Sequence, residues 1–285
     1  MATMSNAPRI LVTGAAGYIG TVLVGQLLAA GQRVLAVDRM HFGDEALAPF
    51  GINPNFSLLR ADVSALETEH LRNVSAVVDL AAISSDPAAR LDPAWTERVN
   101  HRGRVRLASL AQACGVRRHI LVSSCSVYGQ GGNNGEVDED SAPHPLSSYT
   151  RAAVAAEAGV LALAGDGLCA TVLRLGTVHG LSRRMRFDLV VNTMTLAAVR
   201  QRQITLHGGG RQWRPHVHVD DVARAVLATL SAAPWHIGGQ IFNIGQNNLR
   251  VRDVAEVVRQ VVQDQLGGQI AVLDDGLAPI ITTTA

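Results

Sequence analysis

With 285 residues the chain can form one large α/β domain, alone or with a smaller lobe, and can bury a sizeable core. A net charge of +1, with 17% charged and 4% aromatic residues, gives no basic footprint and little stacking surface, which excludes a nucleic-acid partner. Three cysteines without C-x-x-C spacing, Cys114, Cys125 and Cys169, argue against a disulfide framework or a zinc site and for a cytoplasmic protein, and the absence of any run near about eighteen apolar residues leaves no membrane partner.

Residues 1–8 are short and polar, without the basic and apolar regions of a leader. Residues 9–13 are a β-rich apolar run, Gly14, Gly17 and Gly20 punctuate a turn, and Ile19, Val22, Leu23, Leu27 and Ala30 recur at helical spacing up to Gly31. The pattern predicts strand, glycine turn, helix. A turn feeding a strand directly into a helix leaves the first N–H groups of that helix without partners at the positive end of its dipole, which suits a diphosphate. The glycines are spaced G-x-x-G-x-x-G, not the G-x-G-x-x-G of the ordinary dinucleotide fingerprint. The next strand, 33–37, ends on Asp38, eighteen residues after Gly20, where a carboxylate accepts hydrogen bonds from adenosine ribose hydroxyls. A structural turn followed by a surface Asp is the weaker reading, because strand, spacing and acid coincide. Arg39 leaves room for the 2′-phosphate of NADP; the acid favours NAD.

Residues 56–60 predict a strand running into Ala61, Asp62 and Val63 at the same sheet edge, near an adenine ring. Asp62 also reads as the N-cap of a helix over 64–71. Residues 76–80 form a fourth strand, and Leu80, Ala81 and Ala82 are where backbone must approach a flat cofactor. Residues 93–114 predict a long helix with Asn100 on its first turns, and 116–123 a fifth strand entering Ser-Ser-Cys-Ser-Val-Tyr-Gly at 123–129. Strands alternating with helices predict a doubly wound parallel sheet of the Rossmann kind, with ligands off the carboxyl ends of its strands. The loop 129–147, with Gly131, Gly132, Asn133, Asn134 and Gly135 at its start, reads as exposed and mobile, and as a lid.

Tyr149 opens the next helix, which from Ala152 to Ala164 carries Glu157 as its only charge. Such a helix needs cover on both sides, here the sheet and a second copy of the chain, so a homodimer is expected. Residues 169–175 form a sixth strand, followed by a helix at 185–200, a strand at 204–206, a turn at 208–210, a run from 214 into a helix ending at 230, a strand at 240–244 and a helix at 251–265. The division expected is a dinucleotide-binding domain over 1–176, rejoined by about 216–244, with 177–215 and 245–285 forming a small C-terminal substrate-binding lobe over the cleft. His216 and His218 with Asp220 and Asp221 superficially suggest metal ligands. Strand alternation followed by an Asp N-cap explains them better, and no metal is expected.

In these motifs the chain resembles the extended short-chain dehydrogenase/reductases, in their branch of nucleotide-sugar epimerases, dehydratases and decarboxylases. The matches are the turn from Thr13 to Gly20, Asp62 and Val63, Leu80 to Ala82, Asn100, residues 123–129, Tyr149 with Glu157, residues 174–180, and Arg214 with 218–223, in order over about 9–245. The resemblance implies an α/β enzyme that binds NAD at Gly14, Gly17, Tyr18, Ile19, Gly20, Asp38, Arg39, Asp62, Val63, Leu80, Ala81, Ala82, Asn100 and Tyr149. It implies transient oxidation of a sugar carbon in a UDP- or dTDP-linked substrate. Ser124 would donate to the reacting sugar oxygen, Tyr149 would take the hydroxyl proton, and Arg214 would grip the nucleotide diphosphate as a planar bidentate cation. Thr177 falls where that family has a substrate-contacting Asn. Read without the family, Ser124 satisfies a strand end and Tyr149 is an ordinary first-turn residue.

One departure bears on activity. The family's lysine, four residues after the tyrosine and on the same helical face, is Ala153 here. That lysine holds the nicotinamide ribose and lowers the tyrosine pKa; without it a phenol of pKa about 10 is only about one part in a thousand ionised at pH 7. Arg151 points away around the helix, and Arg174 lies on the following strand. Weak or no redox turnover is therefore expected. An introduced replacement, a relative with a non-redox reaction and a dinucleotide-binding pseudoenzyme are the competing explanations. Gly276 also stands near where relatives carry a second diphosphate-binding arginine.

Overall fold

The computed structural model describes residues 7–129 and 136–276; the glycine-rich stretch 131–135 and the tail 277–285 lie outside the described residues. In chain order, β1 (Arg9–Thr13) leads into α1 (Tyr18–Ala29), β2 (Val34–Asp38), β3 (Phe56–Arg60) and β4 (Val74–Asp79). There follow α2 (Asp86–Leu91), α3 (Pro93–Glu97), α4 (Arg104–Ala113), β5 (Arg118–Ser124), α5 (Ser148–Leu161) and β6 (Cys169–Leu175). The remainder is β7 (Thr177–His179), α6 (Val190–Gln201), β8 (Gln203–Leu206), β9 (Trp213–His218), α7 (Val219–Ser231), α8 (Pro234–Ile237), β10 (Ile241–Ile244), β11 (Asn247–Arg250), α9 (Val251–Leu266) and β12 (Ala271–Asp274).

Seven strands form one parallel sheet in the order β10-β6-β5-β4-β1-β2-β3. Its inner strands are runs of Val, Leu, Ile and Ala, as a sheet buried on both faces requires. Their alternation divides the core: Ile10 and Val12 pack with Leu23, Leu27, Val222 and Val226 of α1 and α7, while Leu11 packs with Leu107 and Ala111 of α4. Strand order reverses between β1 and β4, and in a doubly wound sheet the crevice at that switch point is the ligand site.

A second layer of structure stands beside this sheet. β7, β9 and β11 make a three-stranded sheet, β8 pairs with β12, and α6 and α9 enclose a separate core of Met194, Ala198, Ile204, Val254, Ala255 and Val258. His216 to His218 belong to β9 in this small sheet, so the return to the main sheet is made by α7, which packs on α1, and by β10.

Three elements differ from the sequence expectation. The helix over 93–114 is interrupted by a π-helical turn at Arg98–Gly103. Across it Asn100 is 1% exposed and makes two hydrogen bonds to the Ile83 peptide, a tertiary demand that straight helical spacing does not reveal. The helix over 64–71 is two short 3₁₀ turns, Val63–Ala65 and Thr68–Leu71, with Leu66 extended between them. The helix expected from 185 begins at Val190, because Arg186 pairs with Asp188 and reaches Ser84 while its carbonyl accepts from Asn192. α5 rests on β5 and β6 and is flanked by α2, α3 and α4, so helices of the same chain cover part of its second side; Arg151, Ala158 and Ala162 stay exposed.

Candidate active site

A cavity of about 1070 Å³ opens at the carboxyl edge of the main sheet, bounded on its far side by β7, β9 and the segment before α6. That is the upper end of ordinary ligand pockets, with room for more than one small ligand. Every candidate site residue from the sequence lines it: the glycine turn, Asp38, Arg39, Asp62, Val63, Leu80 to Ala82, Asn100, Ser124, Tyr149, Ala153, Thr177 and Arg214.

The glycine turn is shaped by close approach. Gly14 has φ +64°, and a Cβ there would stand 3.0 Å from the backbone of Leu80 and Ala81. A Cβ on Gly20 would fall 2.2 Å from the Gly14 carbonyl oxygen. α1 then starts after Gly17, whose extended backbone carries no side-chain cap, so the first-turn amides remain for an anion. The Tyr18 hydroxyl donates to the Gly180 carbonyl at 2.7 Å and accepts from Asn192 at 3.1 Å, tying the turn to the segment before α6.

Asp38 closes the same end. Its two carboxylate oxygens accept from Ala16 N–H at 3.0 Å and Met40 N–H at 2.8 Å, which fixes the group at the cavity mouth. Arg39 pairs with Asp62 at 2.9 Å and lies 5.8 Å from the Trp95 ring centroid, so this arginine is already engaged by a carboxylate and a ring. Asp62 caps its 3₁₀ turn through Ser64 N–H at 2.8 Å. Burial works against its charge, but the Ser64 hydrogen bonds and Arg39 hold the carboxyl below its usual range.

The back wall is set by β1 and β4. Thr13 Oγ1 accepts from Leu80 N–H and Ala81 N–H, both at 3.1 Å, and donates to Asp79 at 2.6 Å. Leu80 to Ala82 are thereby held as a flat strip of backbone. Both polar ends of the Asn100 side chain are committed to Ile83, so Asn100 braces this strip.

At the opposite end stand Ser124 and Tyr149. Ser124 ends β5 with its side chain accepting from Ser126 N–H at 3.2 Å and Ser126 Oγ at 2.8 Å, the strand-end role, and lines the cavity together with Tyr149. Tyr149 sits in the first turn of α5, which Ser147 and Thr150 close as a capping box. Burial raises the Tyr149 phenol above its ordinary pKa; Arg104, Ser124 and Arg186 oppose the rise and Asp86 adds to it. Ala153 lies one turn on, at 5% exposure, and also faces the cavity.

The two arginines weighed as stand-ins for a lysine are elsewhere. Arg151 is exposed, and Arg174 is held by Glu157 at 2.7 Å and by the Tyr128 hydroxyl at 2.8 Å. Thr177 on β7 and Arg214 on β9 face the cavity from the small sheet. Burial lowers the Arg214 pKa, and Asp86 opposes that. Among the described residues no group of three or more His, Cys, Asp or Glu could hold a metal ion. The cap of α7 is His218, which accepts from Asp220 N–H at 3.2 Å; the Asp N-cap read from the sequence is incorrect, since Asp220 and Asp221 lie inside the first turn.

Sequence reasoning missed five charged residues of the wall: Asp86, Arg104, Arg184, Arg186 and Asp188. For Arg104 a signal existed, its place four residues after Asn100 on the same helical face. Asp86 and Arg186 lie outside every recognisable motif.

Residues 10–245 match the model of the NAD dependent epimerase/dehydratase family. UDP-glucose 4-epimerase of Mycolicibacterium smegmatis is 33% identical over 245 residues, covering 83% of this chain and 77% of that protein. UDP-glucuronic acid decarboxylase 1 of Arabidopsis thaliana is 28% identical over 269 residues, covering 89% of this chain but only 58% of its own length. The chain thus spans less than two thirds of the decarboxylases it matches. The structure of MoeE5 in complex with UDP-glucuronic acid and NAD superposes with TM-score 0.80 at 32% identity, covering 95% of this chain and 86% of that one. The switch-point cavity, its amide-lined glycine turn and the match across both sheets lead to one conclusion: the chain belongs to the NAD-dependent epimerase/dehydratase family.

Proposed function

We propose that the protein is an NAD-dependent nucleotide-sugar epimerase, or a related dehydratase or decarboxylase, acting on a UDP- or dTDP-linked hexose. The observation that carries this reading is one continuous cavity holding, from end to end, an uncapped helix start, a ribose-facing carboxylate, a Ser–Tyr pair and an arginine on the facing sheet.

The residues fit the cofactor. The α1 amides and Asp38 would hold the diphosphate and adenosine ribose, with Val63 and Asp62 beside the adenine and the Leu80 to Ala82 strip behind the dinucleotide. NAD, when bound, supplies a reversible hydride acceptor for a sugar carbon. Tyr149 Oη takes the proton of the sugar hydroxyl, and Ser124 Oγ donates to the same oxygen, holding it as charge develops. Arg214 and Thr177 hold the nucleotide sugar from the small lobe, with residues up to 176 and about 219–244 as the dinucleotide domain and 177–218 with 245–276 as the substrate lobe. The exposed alanine stripe of α5 serves a homodimer, and three free cysteines suit the cytoplasm.

Ala153 favours a second reading, a dinucleotide-binding protein without redox turnover, since the one cation on Tyr149's own helix, Arg151, is exposed and does not line the cavity. Calorimetry with NAD, followed by NMR of UDP-glucose, UDP-glucuronic acid and dTDP-glucose incubated with the protein, tests the first. New sugar signals that depend on Tyr149 support it. NAD binding without turnover, in the native chain and in Ala153→Lys, establishes the second, and no binding of NAD or NADP overturns both.

A further inference from the structure

All 25 of the chain's Lys and Arg positions are arginine, so no lysine anywhere in the sequence can serve Tyr149. Arginine keeps its charge at every accessible pH and presents five donors in a rigid fork. The cavity wall near Tyr149 holds one such fork in an unusual setting.

Arg104 opens α4 and is 3% exposed. Nε donates to Asp79 Oδ2 at 3.0 Å, and Nη2 donates to the carbonyls of Asp79 at 2.6 Å and Val122 at 2.7 Å. Asp79 is fully buried and is fixed on its other oxygen by Thr13 at 2.6 Å, the same hydroxyl that orders the Leu80 to Ala82 strip. Nη1 has no hydrogen-bond partner among the described residues. Arg104 lines the cavity together with Ser124, Tyr149 and Ala153, whereas Asp79 does not. The pair is therefore oriented, with its acid toward the sheet and its cation toward the cavity.

A buried ion pair is poor evidence of stabilisation, because an apolar pair of equal volume serves a core at least as well. A functional demand explains its position better. We infer that Arg104, clamped by Asp79, is the fixed positive charge that stabilises the Tyr149 phenolate, entering the site from α4 where Tyr149's own helix carries Ala153. Arg104 is a positioning residue here, and the inference rests on Tyr149 being the proton acceptor.

Other groups act on Tyr149 as well. Arg186, from the segment before α6, is cationic but paired with Asp188 at 2.6 Å. Asp86, from α2, opposes both arginines, and Ser124 favours the phenolate as they do. Of these, Arg104 is the more deeply buried cation, its side chain 4% exposed against 18% for Arg186, with its counter-charge on the side away from the cavity.

The chain has three tyrosines, which makes direct titration practical. Tyrosinate absorbance is followed against pH in the unliganded protein, and Tyr149 is assigned by difference from Tyr149→Phe. Asp79→Asn combined with Arg104→Met removes both charges together, so no buried carboxylate is stranded. It is expected to raise the Tyr149 pKa by about one unit and to move the acidic limb of the kcat/KM profile upward equally. Arg104→Gln, which keeps donors toward Asp79 without the charge, is the second variant should the pair fail to fold, with the same rise expected. Arg104→Lys should titrate as the parent does, and Ala153→Lys added to the charge-free variant should reverse the rise. A folded charge-free variant whose Tyr149 titrates as in the parent overturns the inference. If no nucleotide sugar turns over, the proposed function fails, yet the unliganded titration still decides the part of Arg104.

Discussion

At one end of the cavity, residues 13–38 supply the anion cradle and the carboxylate from a single strand, turn, helix and strand. At the other end, Arg104, Ser124, Tyr149 and the Thr13-bound Asp79 arrive from four separate elements. The first end works through backbone: partial charges of unpaired amides, placed wherever the chain can turn tightly enough. The second works through full charges out of water, whose effect depends on the direction each faces and on what neutralises it. The comparison teaches that a backbone site depends on the room its turn leaves, whereas a charge site depends on where its charges lie in space, whichever helix carries them.

Tyr149→Phe probes the charge end and carries the largest expected effect. Turnover should fall by about 10²- to 10⁴-fold, the ordinary share of a positioned proton acceptor, with NAD affinity by calorimetry unchanged. A comparable loss of NAD affinity would mean that the two ends are not separable. Gly20→Ala probes the backbone end. Its Cβ meets the Gly14 carbonyl at 2.2 Å and Ala15 at 2.7 Å, so stability by urea unfolding should drop by about 1–3 kcal/mol. NAD binding should weaken by at least about tenfold, the equivalent of about 1.4 kcal/mol lost from the cradle. A Gly20→Ala protein that binds NAD normally would remove the backbone account.

Acid should act at the charge end. Burial lowers the pKa of His119 to about 4, against the opposing pull of Asp79, whose carboxylate lies 3.9 Å away; Arg104 adds to the lowering. His216 is likewise lowered to about 4, chiefly by burial. In the unfolded chain both titrate near about 6.5. Between these values the unfolded state binds protons that the native state refuses. Their contribution is therefore whole above pH about 6.5 and is lost progressively as pH falls toward 4. For His119 the loss at pH 5 amounts to about 2 kcal/mol, and His119→Gln should flatten the urea-midpoint profile between about pH 5 and 7. An unchanged profile would show that this histidine is protonated in the native protein.

The smallest expected effect is cofactor choice. Arg39 is engaged by Asp62 and stacked near Trp95, and Asp38 repels a 2′-phosphate, so NADP should bind about tenfold more weakly than NAD. Asp62→Ala releases Arg39 and should narrow that gap; a gap that stays fixed would assign the preference to Asp38 alone.

Much of this was legible along the chain because it is local. Periodicity and turn glycines placed β1, α1 and Asp38, and the alternation of apolar strands with helices placed the sheet edge where the site lies. Legibility failed where distant residues set local shape. The helix through Asn100 is broken by a π turn in which Asn100 holds Ile83, seventeen residues back, and α6 starts late because Arg186 reaches Ser84, about a hundred residues away. Arg104 was in plain view as one more arginine on a helix.

Local chemistry alone therefore specified the parallel sheet, the glycine turn before α1, Asp38 at the end of β2 and Ala153 one turn after Tyr149, since hydrophobic period and turn geometry are properties of neighbours in the chain. Tertiary structure alone decided that Arg39 is engaged, that Asn100 is a brace, and that Arg104 lines the same cavity as Tyr149 while Asp79, its partner, does not. Electrostatic energy depends on distance through space and on burial, and residues 79, 104, 122 and 149 acquire both only when β4, α4, β5 and α5 are packed together.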